Sequence, residues 1–144
     1  MGELDFENVV FGYGGNALFN GLSASFAKEQ ISCIVGPNGC GKSTLAKLAM
    51  GLIKPVSGRV LIQGRDVASL NPRERARRLG VLVQQQEAPM MTVRELAACG
   101  RFPHHGPLSR LDETDAQCID ETLSLAGVYD LRDRPLRSLS GGQR

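Results

Sequence analysis

Gly36-Pro37-Asn38-Gly39-Cys40-Gly41-Lys42-Ser43-Thr44 is the stretch that decides the fold, reading G-x-x-x-x-G-K-S. It follows the apolar run Ile31-Ser32-Cys33-Ile34-Val35 and precedes the helix-forming Leu45-Ala46-Lys47-Leu48-Ala49-Met50. Strand, glycine turn and helix start are the context of a phosphate-binding loop. Glycines permit positive φ and close approach, so successive backbone N–H groups can face phosphate oxygens at a helix N-terminus. In this reading Lys42 reaches the outer phosphates and the Ser43 hydroxyl ligates Mg²⁺.

Working outward, 144 residues suit one compact domain, and 17 basic against 15 acidic side chains give a net charge of +2. That balance argues against nucleic acid as a partner. Four cysteines, Cys33, Cys40, Cys99 and Cys118, form no C-x-x-C pair, so neither a zinc site nor a disulfide framework is indicated. The acidic N-terminus lacks the apolar segment of a signal peptide, and no apolar run approaches the ~20 residues of a membrane span.

Along the chain, residues 4–10 and 18–27 read as two strands of an antiparallel β element, broken by Gly12-Tyr13-Gly14-Gly15-Asn16. Residues 31–35 predict a buried strand, and 43–50 a helix stopped by Gly51 and Pro55. A strand at 58–63 closes on Gly64. Asn71-Pro72 supplies an N-cap and first-turn proline for a short helix whose Arg73, Arg75, Arg77 and Arg78 fit a solvated face, with a basic docking patch as the alternative. The β-branched run at 79–83 predicts another core strand. Thr92-Val93-Arg94-Glu95 is a capping box opening a helix through Cys99. His104 and His105 fall in a Pro/Gly loop and are expected to be exposed. Ala116, Ile119, Leu123 and Ala126 predict a helix over 113–126, ended by Gly127. The organisation expected is a nucleotide-binding α/β core with its β element at 1–86, a helical subdomain at 87–138, and a terminal motif at 139–144.

That motif, Leu139-Ser140-Gly141-Gly142-Gln143, is a second anion-seeking turn at an expected helix start. Two such turns are redundant in a monomer but not between facing subunits. Here the sequence resembles the nucleotide-binding subunits of ATP-binding cassette (ABC) transporters, whose signature is this pentapeptide. The resemblance covers essentially the whole chain. It implies an α/β P-loop NTPase core of RecA-like type, with ATP and Mg²⁺ as cofactors. Residues 36–44 match the Walker A loop, and Tyr13 matches the aromatic residue that stacks on adenine. Gln84 matches the glutamine that touches Mg²⁺ and the attacking water, with Gln85 and Gln86 leaving the register open. Ser140, Gly141, Gly142 and Gln143 match groups that meet the nucleotide bound to a second, head-to-tail subunit. Thr92-Val93-Arg94-Glu95-Leu96 followed by Gly100-Arg101 is similar to importers of iron–siderophore, haem and vitamin B12 type. The implied partners are an integral membrane permease and, indirectly, a substrate-binding protein outside the membrane. The implied location is cytoplasmic, on the inner face of the cell membrane. The alternatives are a soluble ABC-type ATPase of repair or translation, and a nucleotide-binding module without turnover.

The family's Mg²⁺-holding aspartate, catalytic glutamate and γ-phosphate-sensing histidine follow the signature, and no run of four apolar residues in this chain ends in Asp-Glu. No catalytic residue is therefore expected within the 144 residues. A truncated cassette is expected, inactive and poorly stable alone, its 31–35 strand lacking its usual neighbour.

Overall fold

A computed structural model describes residues 2–82, 89–105 and 110–140. The chain divides into two compact units, Met1–Val81 and Leu82–Arg144.

In the first unit, β1 (Leu4–Tyr13) and β2 (Asn16–Phe26) form an antiparallel hairpin. Gly14 and Gly15 turn it at φ 57° and 87°, the paired positive values that suit a two-residue turn to the twist of the strands. β3 (Ser57–Ile62) adds to the other edge of β1, and the short β4 (Arg65–Asp66) to β3, giving the antiparallel order β2-β1-β3-β4. A bulge distorts β1, where Asn8 sits at φ 48° and the register to both neighbours shifts. Gly58 answers it across the sheet: at φ +79° a Cβ there would stand 2.3 Å from Asn8 O. The helix α1 (Lys42–Ala49) lays Leu45, Leu48 and Ala49 onto Phe6, Val9, Phe11, Val60 and Ile62. Asp5, buried on β1 beside Phe6 in sequence, accepts from Gly2 N and the Ser25 hydroxyl, so its carboxylate is satisfied. The helix α2 (Pro72–Ala76) has a complete capping box of Asn71 and Glu74.

Two sequence expectations fail in this unit. Residues 31–35 form no strand, and Ile31 and Val35 are exposed to 102% and 87%. Of the run 79–83, residues 79–82 are likewise irregular, with Leu82 fully exposed, and Val83 lies outside the described residues. Both runs carry a strand's composition, but among the described residues no strand pairs with either, so their backbone groups turn to solvent. The Arg-rich helix also departs from expectation, because Arg75 and Arg78 are half-buried rather than on an open face.

In the second unit, α3 (Val93–Cys99) and α4 (Glu113–Leu125) each begin with a full capping box, Thr92 with Glu95 and Asp112 with Asp115. The Thr92 backbone N–H, donating to Glu95, holds that carboxyl below its ordinary value. Val93, Ile119, Leu123, Leu136 and Leu139 make a separate apolar core. Among the described residues no helix is long and apolar enough to cross a membrane.

Candidate functional site

The glycine loop begins irregularly and ends on α1, whose N-cap is Gly41 in left-handed conformation at φ 101°. Gly41 lies against Phe19, where a Cβ would come within 2.7 Å of the ring, so a glycine is demanded by conformation and space together. Among the described residues no side chain caps α1, which leaves its first-turn N–H groups available to an anion. A turn from Cys40 N to Pro37 O folds the loop back on itself. Gly36 completes the tight passage, since a Cβ there would stand 2.7 Å from Cys40 Sγ.

Lys42 lies inside this loop. Its Nζ donates to Gly36 O at 2.7 Å and to Pro37 O at 2.8 Å, with Cys40 Sγ at 3.8 Å. The backbone carbonyls hold one positive charge at the mouth of a helix already positive by its dipole. Asn38, Gly39, Cys40 and Ser43 are exposed beside it, whereas Thr44 is buried against the sheet. Tyr13 comes from the end of β1, 31 positions away in sequence, and its hydroxyl lies 3.4 Å from Thr44 Oγ1. The ring is half exposed and braced edge-on by Phe11, with centroids 4.9 Å apart. Thus the structure brings Tyr13 to the loop, and the arrangement suits a phosphate-bearing ligand with a flat group for an aromatic face. Glycines where side chains would collide, uncapped N–H groups and a loop-held ammonium together fit a nucleotide.

Other expected site residues fall elsewhere. Gln84, Gln85 and Gln86 lie outside the described residues, as do Gly141, Gly142 and Gln143. In the second unit Leu139 is buried in the apolar core and Ser140, next to it, is exposed. Among the described residues no group of His, Cys, Asp or Glu could hold a metal ion.

One cluster went unforeseen by sequence reasoning. Asp115, in the first turn of α4 and 1% exposed, receives Arg101 Nε on Oδ1 at 2.7 Å and Asp112 N on Oδ2 at 2.9 Å. His105 Nε2 stands 2.7 Å from Oδ2, without hydrogen-bond alignment to any partner among the described residues. The Asp112 amide, then Arg101 and His105, outweigh burial and hold the Asp115 carboxyl far below the usual carboxylate range. His105 is therefore not the open loop side chain expected. The signal lay in Asp112-x-x-Asp115, a capping pair at the foot of a helical pattern.

The fold and this loop define a P-loop nucleotide-binding cassette. The family model described as ABC transporter matches residues 19–144, and the chain belongs to that family. The iron(3+)-hydroxamate import ATP-binding protein FhuC of Bacillus subtilis (strain 168) is 36% identical over all of this chain and 54% of its own length. The ferric enterobactin transport ATP-binding protein FepC of Escherichia coli (strain K12) is 35% identical over 96% of this chain and 51% of its own. A nucleotide-free ATP-binding cassette from an ABC transporter superposes with TM-score 0.81 at 30% identity, over 99% of this chain and 61% of that one. The ADP conformation of MJ1267, an ATP-binding cassette of an ABC transporter, gives TM-score 0.77 at 29% identity, over 99% and 61%. The chain spans about half the length of the curated relatives it matches.

Proposed function

We propose that this chain is the ATP-binding part of a transporter subunit that energises uptake of an iron–siderophore or similar chelate. The observation that carries the reading is the loop from Gly36 to Thr44, with Lys42 Nζ held on its carbonyls at an uncapped helix start. The names of FhuC and FepC, both iron-chelate transport ATP-binding proteins, support the cargo class.

ATP would be held by the backbone of residues 36–44 and the Lys42 ammonium, with its base against Tyr13. Ser43 and Gln84 would hold Mg²⁺, which when bound neutralises phosphate charge. Exposed Ser140, with Gly141, Gly142 and Gln143, would face the nucleotide of a second cassette set head to tail. The further partners are a membrane permease and, through it, an external substrate-binding protein, with the cassette on the inner face of the membrane.

A second reading, nucleotide binding without turnover by these 144 residues, is favoured by the absence from this sequence of any apolar run closing on Asp-Glu. Maleimide labelling resolved by cysteine separates the possibilities. Bound Mg²⁺ and ATP slow reaction at exposed Cys40 and leave exposed Cys99 unchanged. Equal rates at Cys40 with and without ATP would sink the nucleotide site, and protection without phosphate release selects the second reading.

A further inference from the structure

Away from the phosphate loop, the first unit holds a cleft of about 190 Å³ at the far end of α1, lined by residues from Leu48 to Arg75. That is room for roughly six water-sized groups. Its floor is apolar and built of core side chains, Leu48, Val60 and Val67, and its wall includes half-buried Ile53 and Pro55. Four charged side chains line it: Lys54, Arg59, Asp66 and Arg75. Arg59 is matched by Glu7, and Asp66 commits Oδ1 to Ala68 N at 2.8 Å. Lys54 and Arg75 have no carboxylate within ion-pair distance among the described residues.

Arg75 reaches Gly51, just past the end of α1. Its guanidinium lies against Gly51, where a Cβ would come 2.5 Å from Nη1 and 2.7 Å from Val67 Cγ1. Gly51, at φ +64°, is thus a position where bare backbone leaves room for the arginine's end beside the apolar floor. Among the described residues Arg75 donates only to Gly51 O, at 3.4 Å, so most of its five N–H donors stay available. The surroundings reinforce the sign: residues 51–81 carry seven of the chain's 17 basic side chains and two of its 15 acidic ones.

We infer that this cleft binds a carboxylate carried on a short aliphatic chain. Two unmatched cations supply charge-assisted hydrogen bonds, and the apolar floor and wall take the hydrocarbon. Asp66 in the wall disfavours a dianion such as a phosphate monoester, and the lining leaves a hydrophilic anion without use for its apolar part. The same chemistry can come from a free alkanoate or from an acidic side chain beside an aliphatic one on a partner.

The test is an amide NMR titration of the ¹⁵N-labelled chain with hexanoate, hexanol, acetate and N-acetyl-leucyl-glutamate. Hexanoate shifts Gly51, Gly58, Val60 and Ala68 together and saturably, and hexanol and acetate bind at least about fivefold more weakly because each lacks one half of the recognition. Lys54→Gln, at an exposed side chain, lowers hexanoate affinity about threefold or more with the spectrum otherwise intact, and Arg75→Gln does the same. Tighter binding of the peptide than of hexanoate identifies a protein source, and weaker binding a free acid. Hexanol binding as tightly as hexanoate, or an affinity indifferent to both substitutions, overturns the assignment.

Discussion

At the scale of single residues, Lys42 is the charge around which the loop closes. Its ammonium satisfies the consecutive carbonyls of Gly36 and Pro37, at 2.7 and 2.8 Å. Lys42→Ala removes both the proposed phosphate partner and this internal support, so binding of a fluorescent ATP analogue is expected to weaken at least about tenfold, given the usual strength of charged hydrogen bonds. Gly58 makes a different prediction. Gly58→Ala places a Cβ at positive φ and against the Asn8 and Glu7 carbonyls, costing about 1–3 kcal/mol from backbone strain alone, measurable by urea denaturation. The contrast shows what sequence reveals. The Walker A glycines are legible because their reason is local: a fixed spacing before a lysine. The need for Gly58 comes from a bulge fifty positions earlier, at Asn8, that no spacing announces.

Among the elements, α1 carries the phosphate loop and its hold on the sheet fixes where the loop points. Leu48, in its last turn, is 1% exposed. Leu48→Ala is expected to lower stability by about 2–5 kcal/mol in a denaturant titration, the range for buried leucines. In the second unit the analogous constraint is electrostatic. Asp115 has its pKa depressed by folding, so its contribution is complete above the unfolded carboxylate value of about 3.9 and is lost as pH falls through the lower folded value. Asp115→Asn should therefore destabilise the helical unit at neutral pH and flatten the acid limb of its stability curve, read by helical circular dichroism against pH. The caps of α2 and α3 were legible, because Asn71-Pro72 and Thr92-x-x-Glu95 act within four residues. The strands expected over 31–35 and 79–83 were not, since apolar content marks readiness to pair while pairing needs a neighbour.

Over the whole molecule, the feature that composition hides is exposed apolar surface. Ile31, Val35 and Leu82 stand open, and an apolar hollow of about 230 Å³ between Phe6, Phe26, Ile34, Leu45 and Leu79 lies beside α1. Exposed apolar area of this kind is a contact-seeking surface. Ile31→Ser with Val35→Ser should reduce binding of a hydrophobic dye and concentration-dependent association while changing stability by less than about 0.5 kcal/mol, because neither side chain is buried. Family and overall class were legible from two short motifs. The position of Tyr13 beside Thr44, by contrast, depends on the register of a hairpin and could be assigned beforehand only by resemblance. That placement gives the protein an optical reporter of its own. The sequence has no tryptophan and only two tyrosines, one at the phosphate loop and the other, Tyr129, beneath the Arg132 guanidinium. With Tyr129→Phe, and excitation to the red of the phenylalanine band, the emission of the unlabelled chain comes from the one remaining tyrosine, and arrival of a base on that ring would be seen directly in its intensity.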